Sequence, residues 1–138
     1  MRRMPMIAAA ALAMCAATAF AQVRYYDVAK GSGPHDVAAS PAPGGPVYYT
    51  GQRNGTLGIV DPASGRVEEV KLGNGSAPHG VIVGPDGAAW ITDGGLNAIV
   101  RVDPATRAVK TWKLPDEASG AWCCLAVADS RHQVQLRR

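Results

Sequence analysis

The sequence predicts an all-β fold built from β-propeller blades, because one pattern of short strands and turns is written twice in the chain. Pro34-His35-Asp36-Val37 returns 44 residues later as Pro78-His79-Gly80-Val81, and Ile59-Val60-Asp61-Pro62 returns 42 residues later as Arg101-Val102-Asp103-Pro104. The chain also holds 16 Gly and 10 Pro but only 6% aromatic residues, as expected of a turn-rich β protein. Because a propeller needs roughly four to eight blades to close, the repeat predicts a propeller truncated to about two four-stranded antiparallel blades.

Each copy divides into four predicted strands separated by turn residues. An inner strand follows each Pro-His pair, a second strand carries aromatic residues, and a third precedes an Asp-Pro turn in which Asp61 or Asp103 has a structural role. An outer strand then alternates charged and apolar residues, as a strand with one solvated face does. The predicted strands are 36–39, 47–50, 57–60 and 66–72 in the first copy, and 80–83, 89–92, 99–102 and 109–114 in the second.

The N-terminal residues precede the repeat. Residues 1–22 combine a charged Arg2-Arg3 start, a short apolar run and the motif Ala19-Phe20-Ala21, which predict a cleaved signal peptide and a secreted or periplasmic protein. Residues 24–28 look like another outer strand with no inner strands before it. We expect this strand to complete the last blade of a closed ring.

The C-terminal residues depart from the repeat. Residues 121–138 contain no Gly or Pro, so the predicted partial propeller spans residues 23–120 and the tail is out of pattern. A frameshift or premature stop in a longer gene explains such a tail. The alternative is a natural variant whose end forms a helix or one more strand.

Charge and cysteine content exclude several kinds of partner and site. Residues 23–120 hold nine Lys or Arg against ten Asp or Glu, so the formal net charge of +3 comes from the chain ends and predicts no nucleic-acid surface. The adjacent Cys123 and Cys124 cannot close a loop as a disulfide. The sequence has no P-loop, Gly-x-Ser-x-Gly motif or spaced Cys and His metal signature, and we expect no membrane segment after signal cleavage.

His35 and His79 are the candidate substrate-binding residues. Each is expected just before an inner strand, which would put its imidazole at the mouth of the central channel, where a small molecule or peptide could bind. The alternative is that a histidine recurring at one blade position bonds to neighbouring backbone and fixes the blade edge. The sequence alone leaves both interpretations open.

Oxygen donors and aromatic residues are weaker candidates. Asp36, Asp93, Asn54 and Asn97 lie near blade ends, where Mg²⁺ or Ca²⁺ could bind, but turns favour the same residue types and we assign no metal ligand. The larger aromatic residues are expected to pack between blades rather than to form a ligand platform. They are Tyr25, Tyr48, Tyr49, Trp90 and Trp112.

Five separated motifs follow one another in the second copy: Pro-His-Gly-Val, Pro-Asp-Gly, Trp-Ile-Thr, Asn-x-Ile-x-Arg-Val-Asp-Pro and Trp-Lys-Leu-Pro. Together they resemble the blade consensus of the streptogramin B lyase (virginiamycin B lyase) family of seven-bladed propellers, over residues 23 to about 120. The resemblance implies eliminative opening of a cyclic depsipeptide ester with Mg²⁺ and a histidine base. The family's catalytic residues lie in later blades, so the resemblance implies no catalytic residue and no Mg²⁺ ligand in this chain.

Three functions remain open on these observations. The chain is an inactive N-terminal fragment of an exported streptogramin lyase-like propeller, a non-catalytic periplasmic module that binds a small molecule or peptide, or a lactone hydrolase of the gluconolactonase type. A blade array without a capping unit leaves strand edges open, so self-association through those edges is also expected.

Overall fold

The structure, a computed structural model, describes residues 23–115, and within this range all regular structure is β-strand. The strands form two antiparallel sheets in the orders β1-β2-β3-β4, called blade I, and β5-β6-β7-β8, called blade II. The predicted all-β fold of two propeller blades is therefore confirmed. The strands are β1 Pro34–Ala39, β2 Val47–Gly51, β3 Thr56–Val60, β4 Val67–Lys71, β5 Pro78–Val83, β6 Ala89–Asp93, β7 Ala98–Val102 and β8 Val109–Lys113.

The predicted strand positions are confirmed to within one or two residues at each end, with one informative difference. His35 and His79 lie inside β1 and β5 rather than before them. The predicted signal peptide and tail lie outside the described residues. No helix that could cross a membrane occurs within the described range.

The Asp-Pro turns close each blade in the same way. The Oδ1 atom of Asp61 accepts a bond from the Ala63 amide at 2.9 Å, and that of Asp103 accepts one from the Ala105 amide at 3.0 Å. These hydrogen bonds lower the pKa of both carboxyl groups, with Ser64 the largest influence on Asp61 and the turn amides the largest on Asp103. The structural role predicted for the two aspartates is confirmed.

The hydrophobic core lies between the two blades. Leu57 and Ile59 of blade I face Ile91, Val100 and Val102 of blade II, and all five side chains are buried. The ladder hydrogen bonds run within each sheet and not between the two sheets. Removal of the facing side chains from water is therefore the main force that holds one blade against the next.

Polar contacts add to the core at the end of this interface where the Asp-Pro turns lie. The hydroxyl of Tyr48 donates to the carbonyl of Gly87, in the Pro-Asp-Gly turn of blade II. At the outer strands the guanidinium of Arg107 lies 3.0 Å from the carboxylate of Glu68. The bond from Arg107 lowers the pKa of Glu68.

The predicted outer strand at residues 24–28 is not formed. These residues are an irregular segment that lies on blade I, where Arg24 Nη1 and the Tyr26 hydroxyl both donate to the carbonyl of Pro62. The predicted partner is the third strand of another blade, whereas blades I and II already have their own outer strands, β4 and β8. Its role in closing a ring stays a prediction.

Candidate functional site

A bulge at the start of both inner strands positions the two histidines. In β1, Pro34 pairs with Gly51 but Val37 pairs with Tyr49, so three steps on one strand match two on the other. The register of β5 against β6 shifts in the same place, after Pro78. A bulge leaves a backbone amide without its ladder partner and re-aims the side chains beside it.

A threonine on the neighbouring strand satisfies each freed amide. Thr50 Oγ accepts from the Asp36 amide, and Thr92 Oγ accepts from the Gly80 amide, both at 3.0 Å. The Thr50 hydroxyl also donates to the carbonyl of His79 at 2.9 Å, which joins the bulge of blade I to that of blade II. Thr50 is completely buried, so both bonds form in a low-dielectric environment where an unpaired group is costly.

The bulges bring His35 and His79 into contact. Their ring centroids are 3.9 Å apart with an interplanar angle of 43°. His35 is exposed and His79 half-buried, so the pair presents hydrogen-bond donors and acceptors side by side at one end of the inner strands. Rings at this spacing touch and leave no room for an ion between them.

The carboxylate of Asp36 links the two inner strands through hydrogen bonds. Its Oδ2 atom accepts from the Val81 amide of blade II, and its Oδ1 atom accepts from the Val37 amide, both at 2.9 Å. This side chain stabilises the arrangement that holds the two histidines together. The weak expectation that Asp36 binds a cation has no support from this geometry.

The other three oxygen donors are engaged in the same way. Asp93 is buried at the end of β6 and accepts from the Ser76 hydroxyl and the Ala77 amide. Asn54 bonds to side chains within blade I, and the amide of Asn97 donates to the Leu114 carbonyl. Among the described residues no group of three or more His, Cys, Asp or Glu side chains could hold a metal ion.

The aromatic residues divide between three environments. Tyr48 is buried between the blades as expected, and Tyr49 is buried on the opposite face of blade I. Trp90 and Trp112 stack on each other at 5.4 Å on the face of blade II that points away from blade I. The packing expected for Tyr25 is wrong, because 93% of this residue is exposed in the irregular N-terminal segment.

An open groove borders the histidine pair. It runs between the N-terminal segment and blade I, and His35 forms part of its wall together with Tyr26, Val37 and Tyr49. Apolar and aromatic residues make up most of its lining, and Arg24, His35 and Asp36 are its charged or polar members.

A polar cluster that the sequence pattern does not predict lies next to this groove. The Tyr49 hydroxyl donates to Glu69 Oε1 at 2.9 Å, Asn54 donates to the same carboxylate, and the Thr56 hydroxyl donates to Asn54. Burial raises the pKa of Tyr49, and the bond to Glu69 and its charge raise it further. The signal that could have revealed the cluster is Gly58, which stands between Tyr49 and Glu69 where blade II has Val100.

The paired sheets, the shared bulge and the adjacent inner strands define the chain as blades of an all-β propeller. The chain is similar to virginiamycin B lyase from Staphylococcus aureus, with a TM-score of 0.62 and 26% identity over 71% of this chain and 33% of that one. A catalytically inactive histidine-to-alanine form of that lyase, solved with quinupristin, gives a TM-score of 0.57 and 29% identity over 64% of this chain and 29% of the lyase. The suspected relation to the streptogramin B lyase family is thus confirmed by structural likeness.

A second similarity is shorter. Gluconolactonase from Zymomonas mobilis is 46% identical over 46 residues, which are 32% of this chain and 13% of that enzyme. No protein-family model matches the chain. The chain spans about a third or less of the length of each of these proteins.

Proposed function

We propose that this chain provides two blades of an exported streptogramin lyase-like propeller and that His35 and His79 bind one side of a cyclic peptide-like small molecule. The observation that carries the proposal is the contact between the two imidazoles, 3.9 Å apart at one end of adjacent inner strands. Two neighbouring rings with free nitrogens can bond to amide and ester groups of a ligand that lies across the channel mouth.

The similarity to the lyases supports this class of ligand. One of the similar structures is a virginiamycin B lyase variant solved with quinupristin. The groove beside His35 supplies apolar wall as well, so a ligand could place ring surface there while it bonds to the histidines.

The elimination reaction and its Mg²⁺ belong, in this proposal, to a complete propeller. The chain spans about a third of the lyases, and within residues 23–115 no three His, Cys, Asp or Glu side chains are grouped together. The proposal for this chain is therefore ligand binding without turnover.

The test is a titration of the purified chain with quinupristin, followed by tryptophan emission and by calorimetry. We expect saturable binding that is weakened at least about tenfold in the His35→Ala, His79→Ala double variant, since two bonds at roughly 1 kcal/mol each are lost. Thr111→Ala, an exposed change on β8, is the matched control and should bind like the parent chain. Equal affinity of parent and double variant would contradict the proposal.

A lactone hydrolase is the second candidate, favoured by the 46% identity with gluconolactonase over 46 residues. It predicts proton release from glucono-lactone above the spontaneous rate, measured in a pH-stat with and without Ca²⁺. Hydrolysis that disappears in the double histidine variant would favour this candidate over the binding module. We expect no such hydrolysis from the chain.

A further inference from the structure

Asp93 is a buried carboxylate that has no direct part in the proposed ligand site. It ends β6, and only 2% of it is exposed. Its Oδ1 atom accepts from the amides of Ala77 at 2.9 Å and Leu96 at 3.0 Å, and its Oδ2 atom accepts from the Ser76 hydroxyl. Because a buried charge is costly unless it is paired or hydrogen-bonded, these three donors stabilise the carboxylate at this position.

The bonds to Asp93 fix the segment just before His79. The Ala77 amide bonds to this carboxylate, and the Ala77 carbonyl accepts from the Gly94 amide at 3.2 Å. Pro78, the next residue, is fully buried, and its ring restricts its φ angle. The backbone therefore reaches the histidine with both polar groups of Ala77 bonded and little freedom to rotate.

The backbone after His79 is bonded as well. Three side chains bond to the backbone of the next positions, and they are Thr50 on His79, Thr92 on Gly80 and Asp36 on Val81. Together with the bond from the Ala77 amide to Asp93, side chains fix the backbone on both sides of this histidine. His79 itself is half-buried between them.

Blade I has the serine of this arrangement but not the carboxylate. Gly51 matches Asp93 in the repeat and pairs in the same way with the proline before the histidine. Ser32 matches Ser76, and its buried hydroxyl has no hydrogen-bond partner within residues 23–115. The unpaired hydroxyl is what remains in blade I where glycine stands in place of the aspartate.

The backbone beside His35 receives side-chain bonds on one side only. Thr50 accepts from the Asp36 amide after it, whereas among the described residues no side chain accepts from the Gly33 amide before it. Gly33 also has a φ angle of 57°, which glycine adopts readily. Since His35 is exposed as well, its position is less restricted than that of His79.

We propose that Asp93 is a positioning residue that makes His79 the rigid member of the histidine pair, while His35 is the adjustable member. The inference rests on the proposed function, and it gives the two imidazoles unequal shares of ligand binding. A rigid group loses little conformational freedom when it bonds to a ligand, whereas a mobile group must first be ordered. His79 therefore contributes more to affinity, and His35 adapts to the shape of the ligand.

The first measurement needs no ligand. NMR relaxation of isotope-labelled imidazoles in the full chain gives an order parameter for each ring, with the signals assigned from single His→Ala variants. We expect a higher order parameter for His79 than for His35. Asp93→Ala should lower the His79 value toward that of His35. Asp93→Asn should keep it near the parent value, because asparagine retains an Oδ1 acceptor for both amides.

Asp103→Ala is the matched control. Asp103 lies in the same blade and also accepts from two amides and a hydroxyl, but these belong to Ala105 and Thr106 in its own turn. Its removal should leave the His79 order parameter unchanged, even where it lowers stability. If Asp93→Ala does not fold, Ser76→Ala removes one of the three bonds and should lower the His79 value by a smaller amount.

Titration with quinupristin then separates the two histidines. We expect affinity to fall at least about fivefold in His79→Ala and only about twofold in His35→Ala, because the pre-positioned ring forms the stronger bond. Asp93→Ala should weaken binding although it leaves both imidazoles in the chain. Asp93→Asn should bind like the parent chain.

Equal order parameters for the two rings in the parent chain would overturn the inference, whatever the ligand does. A His79 value that Asp93→Ala leaves unchanged would also overturn it, as would a larger loss of affinity in His35→Ala than in His79→Ala. The expected ring mobilities without any binding of quinupristin would support the positioning role of Asp93 and contradict the proposed function alone.

Discussion

Blades I and II have the same strand order, Asp-Pro turn and bulge, yet one face of each sheet is chemically different. In blade I, Tyr49, Gly58 and Glu69 lie side by side across β2, β3 and β4. At the same three positions blade II has Ile91, Val100 and Thr111. The Tyr49 ring lies over Gly58 and reaches the Glu69 carboxylate, whereas Ile91 and Val100 pack in the core.

The difference follows from what each face touches. The face with Ile91 and Val100 packs against blade I and is dry, so it has apolar side chains. The face with Tyr49 lies against the N-terminal segment and its groove, where buried polar atoms remain paired only because they bond to one another. The repeat thus preserves the backbone ladder, while the neighbour of each face determines its packing.

Ile91→Ala should have the largest effect on stability. The side chain is fully buried between the blades, so its truncation should lower the free energy of unfolding by about 3 kcal/mol, through lost burial and the cavity left behind. Urea unfolding followed by tryptophan emission measures the loss. A loss below about 1 kcal/mol would show that the interface between the blades does not hold this side chain as described.

Gly58→Val places in blade I the residue type that blade II has at the matching position, Val100. The change should lower the free energy of unfolding by about 2 kcal/mol, because a Cβ at Gly58 would overlap the Tyr49 ring. Adding Tyr49→Ile introduces the residue type of the matching Ile91 as well, and the double variant should recover more than half of that loss. The double-mutant cycle from urea unfolding gives the coupling directly. Additive effects of the two changes would refute the packing of the ring over Gly58.

Tyr49→Phe should lower the unfolding free energy by about 1 kcal/mol, because the half-buried Glu69 carboxylate loses the hydrogen bond from a buried tyrosine. Tyr26→Phe is the matched control: its hydroxyl also donates to an oxygen, the Pro62 carbonyl, but at the half-buried edge of the N-terminal segment. In the same urea assay, Tyr26→Phe should lower the free energy of unfolding by less than Tyr49→Phe does. The reverse order would contradict the contrast between the two sites.

The smallest expected effect is a pH dependence from the ion pair between blades. Arg107 lowers the pKa of Glu68, so the folded protein binds this proton less readily than the unfolded chain does. The stabilisation is present above the ordinary value of 4.5 and is lost as pH falls through the lowered value. Because both side chains are about a third exposed, we expect less than about 1 kcal/mol.

Urea unfolding at pH 6 and at acid pH checks this expectation. Glu68→Gln should flatten the decline but not abolish it, since the pKa values of Asp61 and Asp103 are also lowered by their turns. An unchanged pH profile in Glu68→Gln would show that the pair with Arg107 does not contribute.

Most of the fold could be predicted from the sequence because its determinants are local. The Asp-Pro turns at Asp61 and Asp103 and the alternation in the outer strands depend on neighbours in the chain. Residues 24–28 form no strand within the described range because no strand lies beside them there to pair with, and their role in closing a ring stays a prediction.

The site could be predicted only in part. The repeat singled out His35 and His79, but their contact depends on how one blade sits against the next and on the bulges that Thr50 and Thr92 stabilise. Neither the rotation between blades nor a hydroxyl that bonds to two strands can be predicted from the spacing of residues in the sequence.

The hydrogen bonds and the ion pair between the blades can form only after the ribosome has synthesised the second partner of each, because synthesis starts at the N-terminus. The acceptor for Thr50 lies 29 residues further along, and Arg107 follows Glu68 by 39. At a synthesis rate of about 5 to 20 residues per second, the ion pair waits about 2 to 8 seconds for its second member. During that interval blade I has an unmatched buried hydroxyl and an uncovered apolar face, so the nascent chain stays loosely folded.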